Sequence, residues 1–515
     1  MTDSNPILNN PYREPGLHYA TNLEGELDYE KPVKGRRIFA GVVQTIPVPQ
    51  KEQLGLIEVN EYAAQNYGNH LINVLRREIK TWRENHYPNT TRVTRELLTF
   101  WFANEERDFT QSLFFAQQEA IETAIYLNEV AEKSNVGQRI LSDLAKAQSE
   151  TGNLPRVAFK MATGAGKTVV MGALIVYHFY NRLEYRNDVR FVDNFLIVTP
   201  GITIRDRLAT LRVDSRAGTE SEDYYHTRFL VPPNWGKELQ QLNAKLVIVN
   251  FQQLQTRALQ GNKRSPFDGK IGPGGEKVEA KEDLAQVLKR TIGKFRPDSR
   301  LLVINDEAHH CYLPKQDART AEGEDAKREN ERAAVWFSGL RGIAQRYKVR
   351  SIYDLSATPY YLTGSGYDPY SLFPWTVTDF GLIEAIESGL VKIPFLPTSD
   401  DTMAIELPVL RDLYRHVRDE LPKAGQKKRR ARAKAEGETL KEEPPRLPDI
   451  VKAAFKQFYE HYEREYRERR YSLFIGSARD FAVRNGGYTS SLYFRLQQHF
   501  GFKGGFQIRG GIRSR

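Results

Sequence analysis

The sequence contains very little cysteine and no long apolar run. Cys311 is the single cysteine among 515 residues. This excludes an internal disulfide framework and a zinc ribbon, and it is typical of a reducing cytoplasm. The longest apolar-rich stretch, residues 169–180, is too short to span a bilayer. The first residues lack the basic and apolar regions of a signal peptide. We therefore expect a cytoplasmic protein without a membrane partner.

Most of the chain also lacks an excess of either charge. The net charge is +10, but residues 421–515 hold 22 Lys and Arg against 10 Asp and Glu, which leaves 53 against 55 in the first 420 residues. One interpretation of the basic end is a polyanion partner such as DNA. The other is a solvated, charged linker.

The periodicity of apolar residues changes along the chain. Residues 1–55 have little periodicity and predict an irregular arm with room for one hairpin, whereas residues 61–84 and 94–134 have helical spacing. Short β-branched runs then alternate with helix-like stretches. This alternation predicts a parallel sheet wrapped by helices, with ligands at the carboxyl ends of the strands. The runs are residues 156–160, 194–198, 245–249, 301–304 and 351–355.

A glycine-rich loop follows the first run and precedes an apolar helical stretch. It reads Met-Ala-Thr-Gly-Ala-Gly-Lys-Thr over residues 161–168. Gly164 and Gly166 allow backbone N–H groups to approach a polyphosphate closely. Lys167 supplies an ammonium for the β- and γ-phosphates, and Thr168 supplies a hydroxyl for Mg²⁺. We predict a triphosphate site, the alternative being a glycine-rich turn before a core helix.

Two adjacent acids follow the fourth run. Asp306 at the strand tip is placed to hold Mg²⁺ through water, and Glu307 is placed to orient and deprotonate an attacking water. The alternative is that these acids cap a helix. The neighbouring run 309–311, His-His-Cys, lacks a second cysteine nearby and does not favour a structural zinc site.

These segments together resemble motifs of superfamily 2 helicases. The loop at 162–168, Asp-Glu-Ala-His at 306–309 and Ser-Ala-Thr at 356–358 resemble motifs I, II and III. More specifically, the chain resembles the Res (restriction) subunit of type III restriction enzymes. That likeness extends through residues 5–12, 198–208, 355–366 and 373–394. It implies an α/β fold with a RecA-like P-loop NTPase lobe, a parallel sheet flanked by helices, and a helical or irregular N-terminal region.

The resemblance also implies roles for individual residues. Gln117 matches a glutamine that reads adenine, with Gln118 as a substitute, although a surface position on an amphipathic helix is equally open. Glu307 and Lys167 are the predicted catalytic residues, and Thr168 and Asp306 are predicted to hold Mg²⁺. The residues predicted to bind ATP are Gln117, Thr163, Gly164, Ala165, Gly166, Lys167 and Thr168.

Two further sets of residues are predicted from the same likeness. Ser356 and Thr358 match a motif that couples the ATP state to the grip on DNA through His309, and their alternative is a turn that closes a strand. A loop that contacts the DNA backbone is predicted at Thr199, Pro200 and Gly201, with Gln252 as a further phosphate contact. The alternative for this loop is a simple turn.

The resemblance weakens towards the C-terminus. Motors of this kind use a second lobe that contributes an arginine to the transition state. The nearest candidate, residues 507–514, has Gly511 where the first arginine belongs. A nuclease-like pattern at 266–268 and 279–281 lies in a stretch without strand character, and we interpret it as a loop. The predicted domains are an arm and helical lead-in (1–95), a first lobe (96–395, insertion 259–299), a charged linker (396–447) and an incomplete second lobe (448–515).

The leading functional hypothesis is DNA-stimulated ATP hydrolysis by the motor part of a type III-like restriction endonuclease. It implies ATP and Mg²⁺, duplex DNA gripped mainly through its backbone, and a modification methyltransferase subunit as partner. The second hypothesis is a non-catalytic fragment that binds ATP or DNA. A motor acting on RNA is a third, because lobe motifs of this kind contact phosphates in either nucleic acid.

Overall fold

A computed structural model describes most of the first 392 residues. The ranges described are 6–21, 27–40, 70–104, 107, 111–213, 223–257, 281–315, 324–362, 364–368 and 370–392, together with 448, 451–452, 456 and 459. The chain divides into two units, Met1–Lys392 and Ile393–Arg515. The predicted linker at 396–447, the residues 507–514 and nearly all of the nuclease-like pattern lie outside the described residues.

The first unit is built on a six-stranded parallel sheet. Its strands are β3 (Arg156–Met161), β4 (Asn194–Thr199), β5 (Leu246–Asn250), β6 (Arg300–Asp306), β7 (Lys348–Ser356) and β8 (Thr376–Phe380). They lie in the order β5-β4-β6-β7-β3-β8, and every neighbouring pair is parallel. The five β-branched runs therefore form strands as predicted. A separate hairpin, β1 (Leu17–Thr21) and β2 (Leu27–Lys34), lies in the N-terminal arm.

Both faces of the sheet are covered, because side chains along each strand alternate between two apolar clusters. Phe195 and Ile197 of β4 pack in one cluster, and Leu196 and Val198 pack in the other. Continuous apolar runs are expected where helices bury both faces of a parallel sheet. The helices are α1 (Leu71–Glu84), α2 (Arg92–Leu98), α3 (Phe115–Ile125), α4 (Asn135–Glu150), α5 (Lys167–Glu184), α6 (Ile202–Leu208), α7 (Tyr224–Thr227), α8 (Gly236–Leu239), α9 (Leu242–Lys245), α10 (Leu284–Ile292), α11 (Glu324–Arg346) and α12 (Leu382–Glu387).

Two elements were not expected from the sequence. Strand β8 alternates Thr376, Thr378 and Phe380 with other residues, so it lacks the apolar run that marks the other strands. Within the predicted insertion 259–299, residues 284–292 form α10 rather than a surface excursion. The helix buries Leu288 and Ile292 in the second cluster, since these residues are four positions apart and lie on one helical face.

A buried polar crossbar runs beneath the carboxyl end of the sheet. Arg156 on β3 donates from Nε to Asp354 Oδ2 on β7 at 2.7 Å, and Asn305 on β6 donates to Asp354 Oδ1 at 2.7 Å. The Trp375 indole N–H also donates to Asp354, at 2.8 Å. Arg156 and Asp354 are almost completely inaccessible to solvent. Asp354 therefore joins three strands and the segment that enters β8 through one carboxylate.

We expect Asp354→Asn to lower the free energy of unfolding by about 3–5 kcal/mol, because it leaves the buried Arg156 guanidinium without a counter-charge. Urea denaturation followed by circular dichroism measures this change. The matched control is Asp298→Asn, at an exposed position, which should stay within about 0.5 kcal/mol of the parent. A loss below about 1 kcal/mol for Asp354→Asn would contradict the crossbar's structural role.

Candidate nucleotide-binding site

The strand order brings the glycine-rich loop and the acidic pair together. The loop follows β3 and the acids end β6, with β7 between them. Neighbouring strands lie about 4.8 Å apart, so the two tips are separated by roughly 10 Å. The glycine-rich loop and the side chains of Lys167 and Glu307 together bridge this gap, and Lys167 Nζ lies 2.7 Å from Glu307 Oε1. Residues 140 positions apart in sequence therefore form one site at the carboxyl edge.

The loop backbone depends on two glycines. Gly164 has φ +91° and Gly166 has φ +86°, in the left-handed region that favours glycine. A Cβ on Gly166 would also lie 2.0 Å from Gln117 Nε2, which is closer than any real contact. Gly166 directly precedes α5, so the N-terminus of that helix and its unpaired N–H groups face the loop. Thr163 and Gly164 are exposed, whereas Ala165 is buried. Such a cradle suits an anion.

Gln117 lies against this loop and not on the surface. It is 3% exposed, so the alternative of a surface position is wrong. Its Nε2 donates to the Ala165 carbonyl at 3.2 Å, and its Oε1 accepts from the Phe114 N–H at 3.0 Å. Gln118 instead donates to Glu122 at 2.8 Å. Gln117 thus contacts the loop directly, while its role in reading adenine stays a prediction.

The two acids occupy different environments. Asp306 is 2% exposed, and burial, followed by the charge of Glu307, raises the pKa of its carboxyl to about 6. Glu307 has φ +52°, which is uncommon for a residue other than glycine and directs its carboxylate into the site. A 3-10 turn, Ala308–His310, follows Glu307, but the Glu307 side chain makes no capping hydrogen bond to it. The capping alternative therefore does not describe Glu307.

The predicted coupling residues also meet. His309 Nδ1 lies 2.9 Å from Ser356 Oγ, and the Thr358 N–H donates to the same hydroxyl at 3.0 Å. Burial, followed by the charge of His310, lowers the pKa of His309 to about 4. The imidazole is therefore neutral at neutral pH, and its link to Ser356 is a hydrogen bond between uncharged groups. Ser356 ends β7, so this contact joins the acidic segment to the intervening strand.

The residues predicted to contact DNA form a second group at the same edge. Thr199 and Pro200 are buried, and the Thr199 hydroxyl donates to the Gly201 carbonyl at 3.0 Å. The Pro200 carbonyl accepts from Gln252 Nε2 at 3.2 Å and from Arg332 Nη2 at 3.2 Å. Gln252 is therefore brought to the predicted loop. Their contact with DNA stays a prediction.

Sequence reasoning missed Arg332 and Glu329 on α11. Glu329 accepts from His310 Nδ1 at 2.9 Å and lies 3.4 Å from Arg332 Nη1. With the contact from Arg332 to Pro200, these side chains connect the acidic segment to the predicted DNA loop. Both residues lie in a charged stretch of a long helix, and nothing in that local pattern distinguishes them from solvated surface residues.

The site fits a magnesium–triphosphate complex better than a metal held by protein alone. The described residues contain no group of three or more His, Cys, Asp and Glu side chains placed to hold a metal. Mg²⁺ is usually held by one or two carboxylates, water and substrate phosphates. Asp306 offers one carboxylate, and Thr168, half-buried in the first turn of α5, offers a hydroxyl. These donors match that ligand set.

The fold and the site define the class of this protein, a RecA-like α/β lobe in which a glycine-rich loop faces an acidic strand end. Residues 111–361 match the family described as type III restriction enzyme, res subunit. The matched region is a helicase-like domain that spans just under half of the chain. No curated protein matches the chain. In the part that the structure describes, no helix is long and apolar enough to cross a membrane.

We expect Asp306→Asn to stabilise the protein without nucleotide or Mg²⁺. The pKa of about 6 in the folded state lies above the ordinary value of about 3.9. The charged carboxylate therefore lowers the free energy of unfolding, and this loss is complete above about pH 6. The loss is relieved as the pH falls from about 6 to 4, because the carboxyl becomes protonated in the folded state. At pH 8 the variant should be more stable by up to roughly 3 kcal/mol, and the difference should shrink towards pH 4.

Thermal and urea unfolding across this pH range measure the effect. Asp143→Asn, at an exposed position on α4, is the control for the loss of an acidic charge. A stability difference between Asp306→Asn and the parent that is independent of pH would show that Asp306 does not titrate in this window.

Proposed function

We propose that this chain is the ATP-hydrolysing motor part of a type III-like restriction endonuclease and that DNA stimulates its turnover. The observation that carries the proposal is the approach of Lys167 Nζ to within 2.7 Å of Glu307 Oε1 across β7. The family match supports a helicase-like domain. The proposal adds the substrate, ATP, and the reaction, hydrolysis of the γ-phosphate.

Lys167 and the loop would bind the triphosphate. Backbone N–H groups at the start of α5 face the β- and γ-phosphates, and the glycines at 164 and 166 keep side chains out of the way. Lys167 would exchange its contact with Glu307 for phosphate oxygens, which carry more negative charge. Asp306 and Thr168 would hold Mg²⁺, which would neutralise the charge that develops on the phosphates.

Glu307 would act on the attacking water. Release from Lys167 would leave the Glu307 carboxylate free to accept a hydrogen bond from the water and then to accept its proton. The left-handed backbone at Glu307 and its quarter-exposed side chain direct that carboxylate into the site. The attack then proceeds in line with the bond to the departing diphosphate.

Coupling to DNA would run through the contacts that surround the acids. His309 bonds to Ser356, and His310 connects through Glu329 and Arg332 to the Pro200 carbonyl. Ile202, which follows Gly201 of the predicted DNA loop, is exposed, so this edge of the sheet is accessible to a large ligand. We propose that Gly201 and Gln252 meet the DNA backbone, while the buried Thr199 and Pro200 shape the loop that presents them. The proposed partner is a modification methyltransferase subunit in the cytoplasm.

We expect Lys167→Ala and Glu307→Gln each to lower DNA-stimulated ATP turnover by about 100-fold or more, because each removes a group that stabilises or initiates the transfer. Phosphate release with and without duplex DNA measures this. Glu307→Gln should still bind ATP, because the amide keeps the shape of the side chain. Lys167→Ala should bind ATP more weakly.

Matched controls are Lys146→Ala and Glu150→Gln, both exposed on α4, which should hydrolyse ATP like the parent. Turnover that persists in both site variants would place the active site elsewhere. ATP binding by the parent without hydrolysis at any concentration of DNA would decide for the alternative, a non-catalytic nucleotide-binding fragment.

A further inference from the structure

The N-terminal arm forms a compact turn outside the family match. Residues 8–17 lie well before position 111, where the match begins. Asn9 closes the turn with three hydrogen bonds. Its Oδ1 accepts from the N–H groups of Gly16 and Leu17 at 3.0 Å each, and its Nδ2 donates to the Leu17 carbonyl at 2.8 Å. The Asn9 side chain therefore joins the two ends of this turn.

One side of the arm holds the first turn of α3. The Pro11 carbonyl accepts from the Phe115 N–H at 2.8 Å, and Phe115 is the first residue of the helix, where an N–H has no partner within the helix. Arg36 Nη2 donates to Glu119 at 2.9 Å. Both side chains of this pair are less than a tenth exposed. Phe115 and Glu119, which make these contacts, lie two residues to either side of Gln117. The Gln117 amide donates to the Ala165 carbonyl in the glycine-rich loop.

The other side of the arm holds α12. The N–H groups of Leu8 and Asn9 donate to the Glu387 carbonyl at 2.8 and 2.9 Å. Arg37 pairs with the Glu387 carboxylate at 2.7 Å, and Arg36 pairs with Glu384 at 3.0 Å. These contacts anchor α12, and the residues that follow α12 in the chain lie near the glycine-rich loop.

Val391, which follows α12 in the chain, lies near the glycine-rich loop as well. A Cβ built on Gly164 would lie 3.7 Å from Val391 Cγ2, an ordinary van der Waals distance. Gln117 therefore lies beside Gly166 of the loop, and Val391 lies near Gly164. The arm connects the two, since it holds both α3 and α12. We call this closed arrangement of arm, α3, loop and α12 the collar.

We propose that the turn at residues 8–17 is a positioning element that, through the collar, sets the backbone conformation of the glycine-rich loop. The buried ion pairs of Arg36 with Glu119 and Glu384 resist separation, because separating charged partners in a low-dielectric interior costs much free energy. A shift of the arm therefore moves α3 and α12 instead of breaking these contacts. The effect on nucleotide affinity rests on the proposed ATP site, whereas the effect on the loop backbone does not.

The test compares Asn9→Ala, which removes all three hydrogen bonds, with Asn9→Asp, which keeps the two accepted ones. Amide hydrogen exchange at residues 162–168, measured without nucleotide, reports the loop. Binding of MgATP reports affinity. We expect faster exchange and a dissociation constant raised roughly three- to tenfold in Asn9→Ala, with a smaller change in Asn9→Asp. Asn234→Ala, at an exposed site in another turn, is the control.

A turn that serves stability alone would lower the melting temperature and leave exchange in the loop and MgATP affinity unchanged, which would overturn the proposal. Parent-like exchange at 162–168 in an Asn9→Ala protein whose 16–17 amides have become labile would overturn it as well. Faster loop exchange in a protein that fails to bind ATP would support the positioning role and remove the proposed function.

Discussion

The contact between Lys167 and Glu307 depends on the order of the strands. Only β7 separates the strand that leads into the loop from the strand that ends in the acids, so the two strand ends lie close enough for Lys167 to pair with Glu307. The parallel direction of all three strands is equally necessary, because it brings their carboxyl ends to one edge. Every chemical role proposed for this protein follows from that edge.

Burial beneath the edge gives the site its rigidity. Asp354 joins β6, β7 and β3 a short distance below the residues proposed to bind substrate, and two apolar clusters cover the faces of the sheet. A buried carboxylate with several donors tolerates little displacement, since each lost hydrogen bond leaves an unpaired polar group. The same burial raises the pKa of Asp306 and lowers that of His309. Rigidity and altered acidity thus have one cause.

The polar contacts at the carboxyl edge form two short series. One joins His309 to Ser356, and the other leads from His310 through Glu329 and Arg332 to the Pro200 carbonyl. Energetic coupling along these contacts is part of the proposed function. Behind the loop, the collar adds support from residues before and after the region of the family match.

The five strands with apolar runs, the glycine-rich loop and the acidic pair can be predicted from the sequence, because each is encoded by neighbouring residues whose pattern has a local physical meaning. Strand β8 cannot, because its threonines and aspartate do not indicate a buried strand. The strand order and the partners of Arg36, Arg332 and Asp354 are visible only in the folded chain. Those contacts join residues far apart in the chain, and a charged residue that is destined for burial has the same local pattern as one that stays in solvent.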